Sequence, residues 1–292
     1  MKSNALHKLT SLALLALFAS ATVASAQTVV ANFTDGTGTT LSDQYTGVAG
    51  NGWSTAWAFG GTAGSAAVTS TTPLAGGGNY LAYTNGNGGA ATDIALVRQW
   101  SSTNIPDTAA YRVSFNVRLD DISNWNASGD YFTVSASNVT GNSPSGSSSF
   151  LIRAYGATTG NANALKWAFY NGNKDSAGID TTRFSSSTMS VVQGTTYQFT
   201  IDVNPLNGTY GATIDDGTNS VTATALGFRS GTFTGRNYLN FNSAKSALTD
   251  TFGYSLDTVA ISVSPIPEPS TYAALAGLGV LGLAAMRRRR AA

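Results

Sequence analysis

The chain predicts an all-β protein folded as a single two-sheet antiparallel sandwich, with a short apolar segment at each end that does not belong to it. Three observations lead there. Apolar residues recur at every second position in short runs, the period of a half-buried strand. Gly, Asn, Ser and Asp interrupt those runs at close intervals. Before residue 270 no stretch spaces its apolar residues three and four apart, as an amphipathic helix would.

The first segment reads as a secretion signal. Lys2 and Lys8 precede an apolar stretch from Leu9 to Ala19, and Ala24-Ser25-Ala26 offers a small-residue cleavage site before Gln27. Residues 1–26 are therefore expected to be a signal peptide that engages the secretion translocase and is removed by signal peptidase. The mature domain would span residues 27–264.

Within it, Thr34 to Gly78 is rich in Gly, Thr, Ala and Ser and has room for two or three short strands. Tyr80–Tyr83 and Ile94–Trp100 follow. The clearest strand is Tyr111–Asp120, where Tyr111, Val113, Phe115, Val117 and Leu119 face one way and Arg112, Ser114, Asn116, Arg118 and Asp120 the other. Tyr131–Ser137 and Ser149–Tyr155, separated by a polar loop at Thr140–Ser148, come next, followed by Leu165–Tyr170. Tyr197, Phe199, Ile201 and Val203 alternate again. Asn207-Gly208 turns the chain into Thr209–Asp215, and Asp216-Gly217 turns it into Ser220–Ala225, a three-stranded meander. Tyr238–Phe241 and Leu256–Val263 complete the set. No Pro-rich or charged linker divides it, so the strands form one domain whose two apolar faces meet.

Composition excludes several functions. Six of the 16 basic residues (Lys2, Lys8 and four C-terminal arginines) and one of the 15 acidic ones (Glu268) lie in the terminal segments. Residues 27–264 thus carry ten basic and 14 acidic residues, a net charge of −4, and every acid among them is Asp. The single histidine, His7, lies in the signal segment, and there is no cysteine. A domain without His or Cys lacks the usual zinc ligands and any His-assisted nucleophile. Its negative charge disfavours nucleic acid. Its stability must come without disulfides, which its size allows.

The far end is built differently. Pro265-Ile266-Pro267-Glu268-Pro269-Ser270 leads into an uncharged apolar run, residues 272–286, and then Arg287-Arg288-Arg289-Arg290. As a helix the run would be about 22 Å long, short against a hydrocarbon core of about 30 Å. Arginine snorkelling narrows the gap, and the arginines hold that end in the cytoplasm. These three parts in this order resemble the PEP-CTERM sorting signal. The resemblance implies recognition of Pro267, Glu268 and Pro269 by an exosortase-type processing protease. It also implies transient anchoring in the inner membrane by the C-terminal helix, cleavage near the motif, and release to the cell surface or extracellular matrix.

A second resemblance concerns the domain. Asn32-Phe33-Thr34-Asp35, Gly52-Trp53 with Trp57, Asn79-Tyr80-Leu81, the strand at Tyr111 and Leu256-Asp257-Thr258-Val259 look like the concanavalin-type jelly rolls of surface proteins and carbohydrate-binding modules. Jelly-roll glycosidases use a pair of carboxylates, usually Glu, and residues 27–264 hold none. Asp120-Asp121 and Asp215-Asp216 are sequence neighbours that a strand points to opposite faces, and they read better as a strand exit and a turn. Asp257, expected on the apolar face with Val259, Ile261 and Val263, and Asp35, its counterpart by resemblance, are candidate ligands of a structural calcium. The alternative is that Asp35 caps a turn and Asp257 pairs with an arginine. No other cofactor is expected.

Sugars stack on exposed aromatic faces. Trp125, in the polar segment Ser123–Ala127, is the first candidate for such a platform, followed by Trp53 and Trp57; the alternative for each is burial beneath a loop. Trp167 alternates with Leu165 and Phe169 and belongs to the core. The expected function is a non-enzymatic structural or adhesive protein associated with extracellular polysaccharide. A carbohydrate-binding module with a defined glycan is the alternative, and a polysaccharide-active enzyme, including a Tyr-based lyase, a distant one.

Overall fold

The computed structural model describes residues 28–33, 52–60, 64–74, 77–85, 94–127, 129–138, 148–157, 161–172, 184–229, 237–247 and 250–264. The signal segment, Asp35, most of the loop at 140–148, the Pro267-Glu268-Pro269 motif and the apolar run 272–286 lie outside them. Among the described residues there is no helix long and apolar enough to cross a membrane.

The strands are β1 (Thr28–Ala31), β2 (Ala58–Gly60), β3 (Gly64–Thr69), β4 (Tyr80–Asn85), β5 (Ile94–Gln99), β6 (Tyr111–Asp121), β7 (Tyr131–Ser137), β8 (Leu151–Tyr155) and β9 (Lys166–Tyr170). They continue with β10 (Phe184–Ser190), β11 (Thr196–Asn204), β12 (Thr209–Asp215), β13 (Ser220–Gly227), β14 (Tyr238–Ala244) and β15 (Phe252–Val263). An eight-stranded sheet runs β13-β12-β11-β6-β15-β4-β3, with β1 also pairing β15. A seven-stranded sheet runs β10-β9-β8-β7-β14-β5-β2. The pairings are antiparallel and the chain crosses repeatedly between the layers, giving the expected sandwich.

Alternation explains how the layers stick. Val113, Phe115, Val117 and Leu119 of β6 are buried, while Arg112 beside them is exposed. Phe115 is paired in register with Phe199 of β11, and their rings stack at 4.7 Å and 11°. Phe241 of the other sheet meets Phe115 edge-on at 5.2 Å. Each such ring contributes about 1.5–3 kcal/mol by burial and about 0.5–1.5 kcal/mol more by ring pairing. On the outside, Arg112 and Asp202 are opposed across β6 and β11 and form a bidentate ion pair at 2.7 and 3.0 Å. Both are about half exposed, so the pair adds little.

The meander β11-β12-β13 turns where glycine was expected to turn it. Gly217 sits at φ 85°, and Asp216 Oδ1 accepts the N–H groups of Thr218 and Asn219 at 2.8 and 2.7 Å. Two strands were not expected. β1 adds to β15, and β10 closes one edge of the seven-stranded sheet with the sequence Phe-Ser-Ser-Ser-Thr-Met-Ser, in which only Phe184 and Met189 are buried.

The last strand corrects one expectation. β15 pairs Asp257 with Asn116 of β6 and then Ala260 with Ser114, so β15 carries an extra residue there. Thr258 takes φ 52°, the left-handed region that a β-branched residue seldom adopts. The bulge reverses the side-chain alternation. Leu256, Val259 and Ile261 all enter the core, and Asp257 falls on the outer side with Ser255, not on the apolar face.

Candidate functional site

The three tryptophans expected as glycan platforms are interior residues. Trp125 is 4% exposed and lies flat on Phe252, ring centroids 5.1 Å apart at 11°. Its backbone N–H donates to Ile122 O, and its carbonyl accepts from Ala157, so the polar segment around it is a tight turn wrapped over the indole. Trp53 and Trp57 are each 3% exposed. Trp53 donates its indole N–H to Val30 O at 2.9 Å, and the Arg98 guanidinium covers it at 4.7 Å. Trp57 fills the space between Trp53, Phe33 and Phe241. None of the three presents a ring face to solvent, because each closes one end of the sandwich core. Trp167 is buried with Phe169, as expected, but Leu165 is exposed, because it takes φ 47° and precedes β9 instead of continuing its alternation.

Asp257 is buried, and Thr258 N–H donates to its Oδ1 at 2.7 Å. Burial pushes its carboxyl above the ordinary carboxylate range, with the bond to Thr258 opposing. Neither ion pair among the described residues involves it, so the expected arginine partner is not found there. No group of three or more acidic, His or Cys side chains suited to a metal occurs among the described residues.

The adjacent aspartates are occupied. Asp120 receives Arg118 Nε and Ser255 Oγ, each at 2.5 Å. Asp121 holds Ser123 and Thr251; its burial favours the neutral acid, but these hydrogen bonds outweigh it and keep the carboxyl below its usual value. Asp215 and Asp216 bind the turn at Gly217. The buried phenols stay protonated at neutral pH: burial pushes Tyr83 up to about 12 against an opposing bond from Ser243, and raises Tyr254 and Tyr210 as well.

A different surface combines polar and aromatic groups. In the seven-stranded sheet, Phe132, Val134, Ile152, Trp167, Leu239 and Phe241 point into the main core. Their alternates point outward, and here the outward face is also buried: Thr133, Ser135, Leu151, Ala168, Asn240 and Asn242 are all 0–1% exposed. Register sets them in rows. Arg153 of β8 is opposite Thr133 of β7 and Ala168 of β9. One step along, Leu151 is opposite Ser135, which is opposite Asn240 of β14. A second apolar cluster of Leu151, Tyr155, Ala168, Tyr170 and Phe184 borders them.

Arg153 stands at the accessible end of this face and is partly exposed. Its Nε donates to Thr133 Oγ1 at 2.9 Å, and its guanidinium carbon lies 4.0 Å from the Tyr131 ring centre, 5.0 Å from Phe184 and 5.4 Å from Tyr155. Phe184 in turn meets Tyr155 edge-on at 5.5 Å, bracing the cage. The sequence reading missed this site. The usable signal was the unbroken run Phe150-Leu151-Ile152-Arg153-Ala154-Tyr155, whose lack of alternation marks a strand covered on both faces and makes a charged residue within it conspicuous.

No curated protein matches the chain. Among solved structures, a sialidase superposes with TM-score 0.41 at 11% identity, over 68% of this chain but 17% of its own, so this chain spans a small part of that protein. A protein of unknown function from Shewanella oneidensis MR-1 gives 0.49 at 11% identity, over 86% of this chain and 92% of that one. Lectin II from Ulex europaeus gives 0.39 at 12% identity, over 70% and 92%. Enzyme and lectin both occur among these neighbours, and at such scores the likeness carries no argument about activity. The C-terminus is different: residues 265–290 match the PEP-CTERM protein-sorting motif, which implies exosortase processing, export and membrane anchoring through the C-terminal region.

Proposed function

We propose that the chain is an exported, surface-sorted, non-enzymatic protein that serves as a structural or adhesive component in extracellular polysaccharide. The sorting motif at residues 265–290 carries this reading, because it implies export and exosortase processing, which supports delivery of the domain outside the cell. Pro267, Glu268 and Pro269 form the recognition element, the apolar run 272–286 a temporary anchor and Arg287–Arg290 its cytoplasmic stop. The absence of Glu, His and Cys from residues 27–264 supports the non-enzymatic part, as does the commitment of Asp120, Asp121, Asp215 and Asp216 to local hydrogen bonds.

Replacing Pro267, Glu268 and Pro269 together by alanine is expected to strand the protein in the inner membrane, measured by cell fractionation. Unchanged arrival at the surface would reduce the tail to a plain anchor. A second reading, a carbohydrate-binding module with a defined glycan, is favoured by the Arg153 face. Saturable binding on a glycan array supports it, and product formation from any of those glycans would overturn the non-enzymatic part.

A further inference from the structure

Three features of the outer face of the seven-stranded sheet belong together. The first is an arginine with unused valences. Arg153 spends only Nε, on Thr133 Oγ1 at 2.9 Å, and among the described residues its two terminal nitrogens meet no acceptor. Neither ion pair among those residues includes it. Asp130, the chain neighbour of Tyr131, is fully buried and already accepts from Asn126 N, Ala127 N, Ser246 N and Ser246 Oγ.

The second is the cage. Tyr131, Phe184 and Tyr155 hold the guanidinium in place, so its fork is pre-organised and loses little freedom on pairing. Tyr131 is itself partly exposed beside it. The third is an unsatisfied polar strip one register step away. Ser135 Oγ and Asn240 Oδ1, directly opposed on β7 and β14, are buried at 0% and 1% exposure and meet no hydrogen-bond partner among the described residues. Buried polar atoms without partners are uncommon and ask for a polar occupant.

We propose that Arg153 is the anchor of a binding site for a carboxylate-bearing polysaccharide, with a hexuronic acid residue as the recognised unit. A planar two-oxygen carboxylate fits the two free terminal nitrogens side by side. The C–H face of the sugar ring suits the exposed part of Tyr131, whereas Ser135 and Asn240, at 0–1% exposure, lie too deep to meet the ring and suit an ordered water instead. The net charge of −4 on residues 27–264 does not forbid this, because screening at physiological ionic strength confines the repulsion to about 8 Å. The inference rests on the surface-sorting reading, which brings the domain to extracellular polysaccharide.

The test is calorimetric titration of the full-length chain in nonionic detergent with oligogalacturonate, with its methyl ester and with polyglutamate of similar charge, at low and high salt. Wild type is expected to bind oligogalacturonate saturably, more weakly at high salt, and to bind the ester and polyglutamate at least tenfold more weakly. Arg153→Met is expected to lose at least tenfold in affinity while remaining folded at the titration temperature, checked by its melting curve. Arg153→Lys, which keeps the charge but not the fork, is expected to fall between the two. Equal binding of the ester would overturn the carboxylate, equal binding of polyglutamate would overturn the sugar, and full affinity in Arg153→Met would overturn the residue. Absence of wild-type binding overturns the site while leaving surface sorting to the fractionation experiment. The ester comparison needs no variant and stands even if Arg153→Met fails to fold.

Discussion

Asp130 gives the most quantitative test of how the fold is held. Its carboxylate is fully buried and ties two loops that are far apart in sequence. Oδ2 accepts from Asn126 N and Ala127 N at 3.0 and 2.8 Å, and Oδ1 accepts from Ser246 N and Ser246 Oγ at 2.6 and 2.7 Å. Its own backbone carbonyl accepts from Gly156, so the same residue also fixes the exit of β8. Asp130→Ala leaves four donors facing a cavity. Hydrogen bonds to a charged acceptor contribute about 1.5–3 kcal/mol each. Water entering the space recovers part of that, leaving a loss of about 3–5 kcal/mol. At about 2–4 °C per kcal/mol for a domain of this size, the melting temperature should fall by about 6–20 °C, followed by circular dichroism. Asp130→Asn keeps one acceptor oxygen and should fall by less. An alanine variant melting within 2 °C of wild type would refute the claim that this carboxylate staples the loops, 2 °C being about the effect of 1 kcal/mol or less.

Two other substitutions separate structural from binding roles. Asp257→Asn should raise the melting temperature at neutral pH. The folded acid keeps its proton to a higher pH than the unfolded one, so wild-type stability declines as pH rises from the ordinary carboxylate range through the raised folded value. The variant escapes that decline, and the gap between the two should close in acid. A lower melting temperature in the variant, matched by wild type in excess EDTA, would instead make Asp257 a calcium ligand. Trp125→Ala removes a ring stacked on Phe252 and should cost about 3–5 kcal/mol while leaving polysaccharide affinity intact below the melting transition; a selective loss of affinity would restore it as a glycan contact.

What the sequence conveyed depended on how many faces of each strand are wet. β6 and β11 alternate cleanly because the outer face of their sheet meets solvent, and both could be placed to within a residue or two. β10 escaped notice because an edge strand buries only Phe184 and Met189, too few to set a period. Asp257 was assigned to the wrong side because alternation assumes an unbroken ladder, and nothing in Asp-Thr-Val announces that Thr258 will adopt a left-handed conformation. The tryptophans show a related limit. A polar sequence around Trp125 is equally compatible with a solvent-exposed ring and with a turn folded over it, and the choice is made by Phe252, which is distant in the chain. Arg153 was hidden for the opposite reason, since two of its three cage rings, Tyr131 and Phe184, come from β7 and β10 and only strand register brings them to it.

The central claim is that the C-terminal segment is a sorting handle removed at the Pro-Glu-Pro motif. Mass spectrometry of the C-terminal peptide from protein recovered at the cell surface tests it most directly. The account predicts a terminus within residues 264–270 and loss of the apolar run and the four arginines. Surface protein that still ends at Ala292 would contradict it.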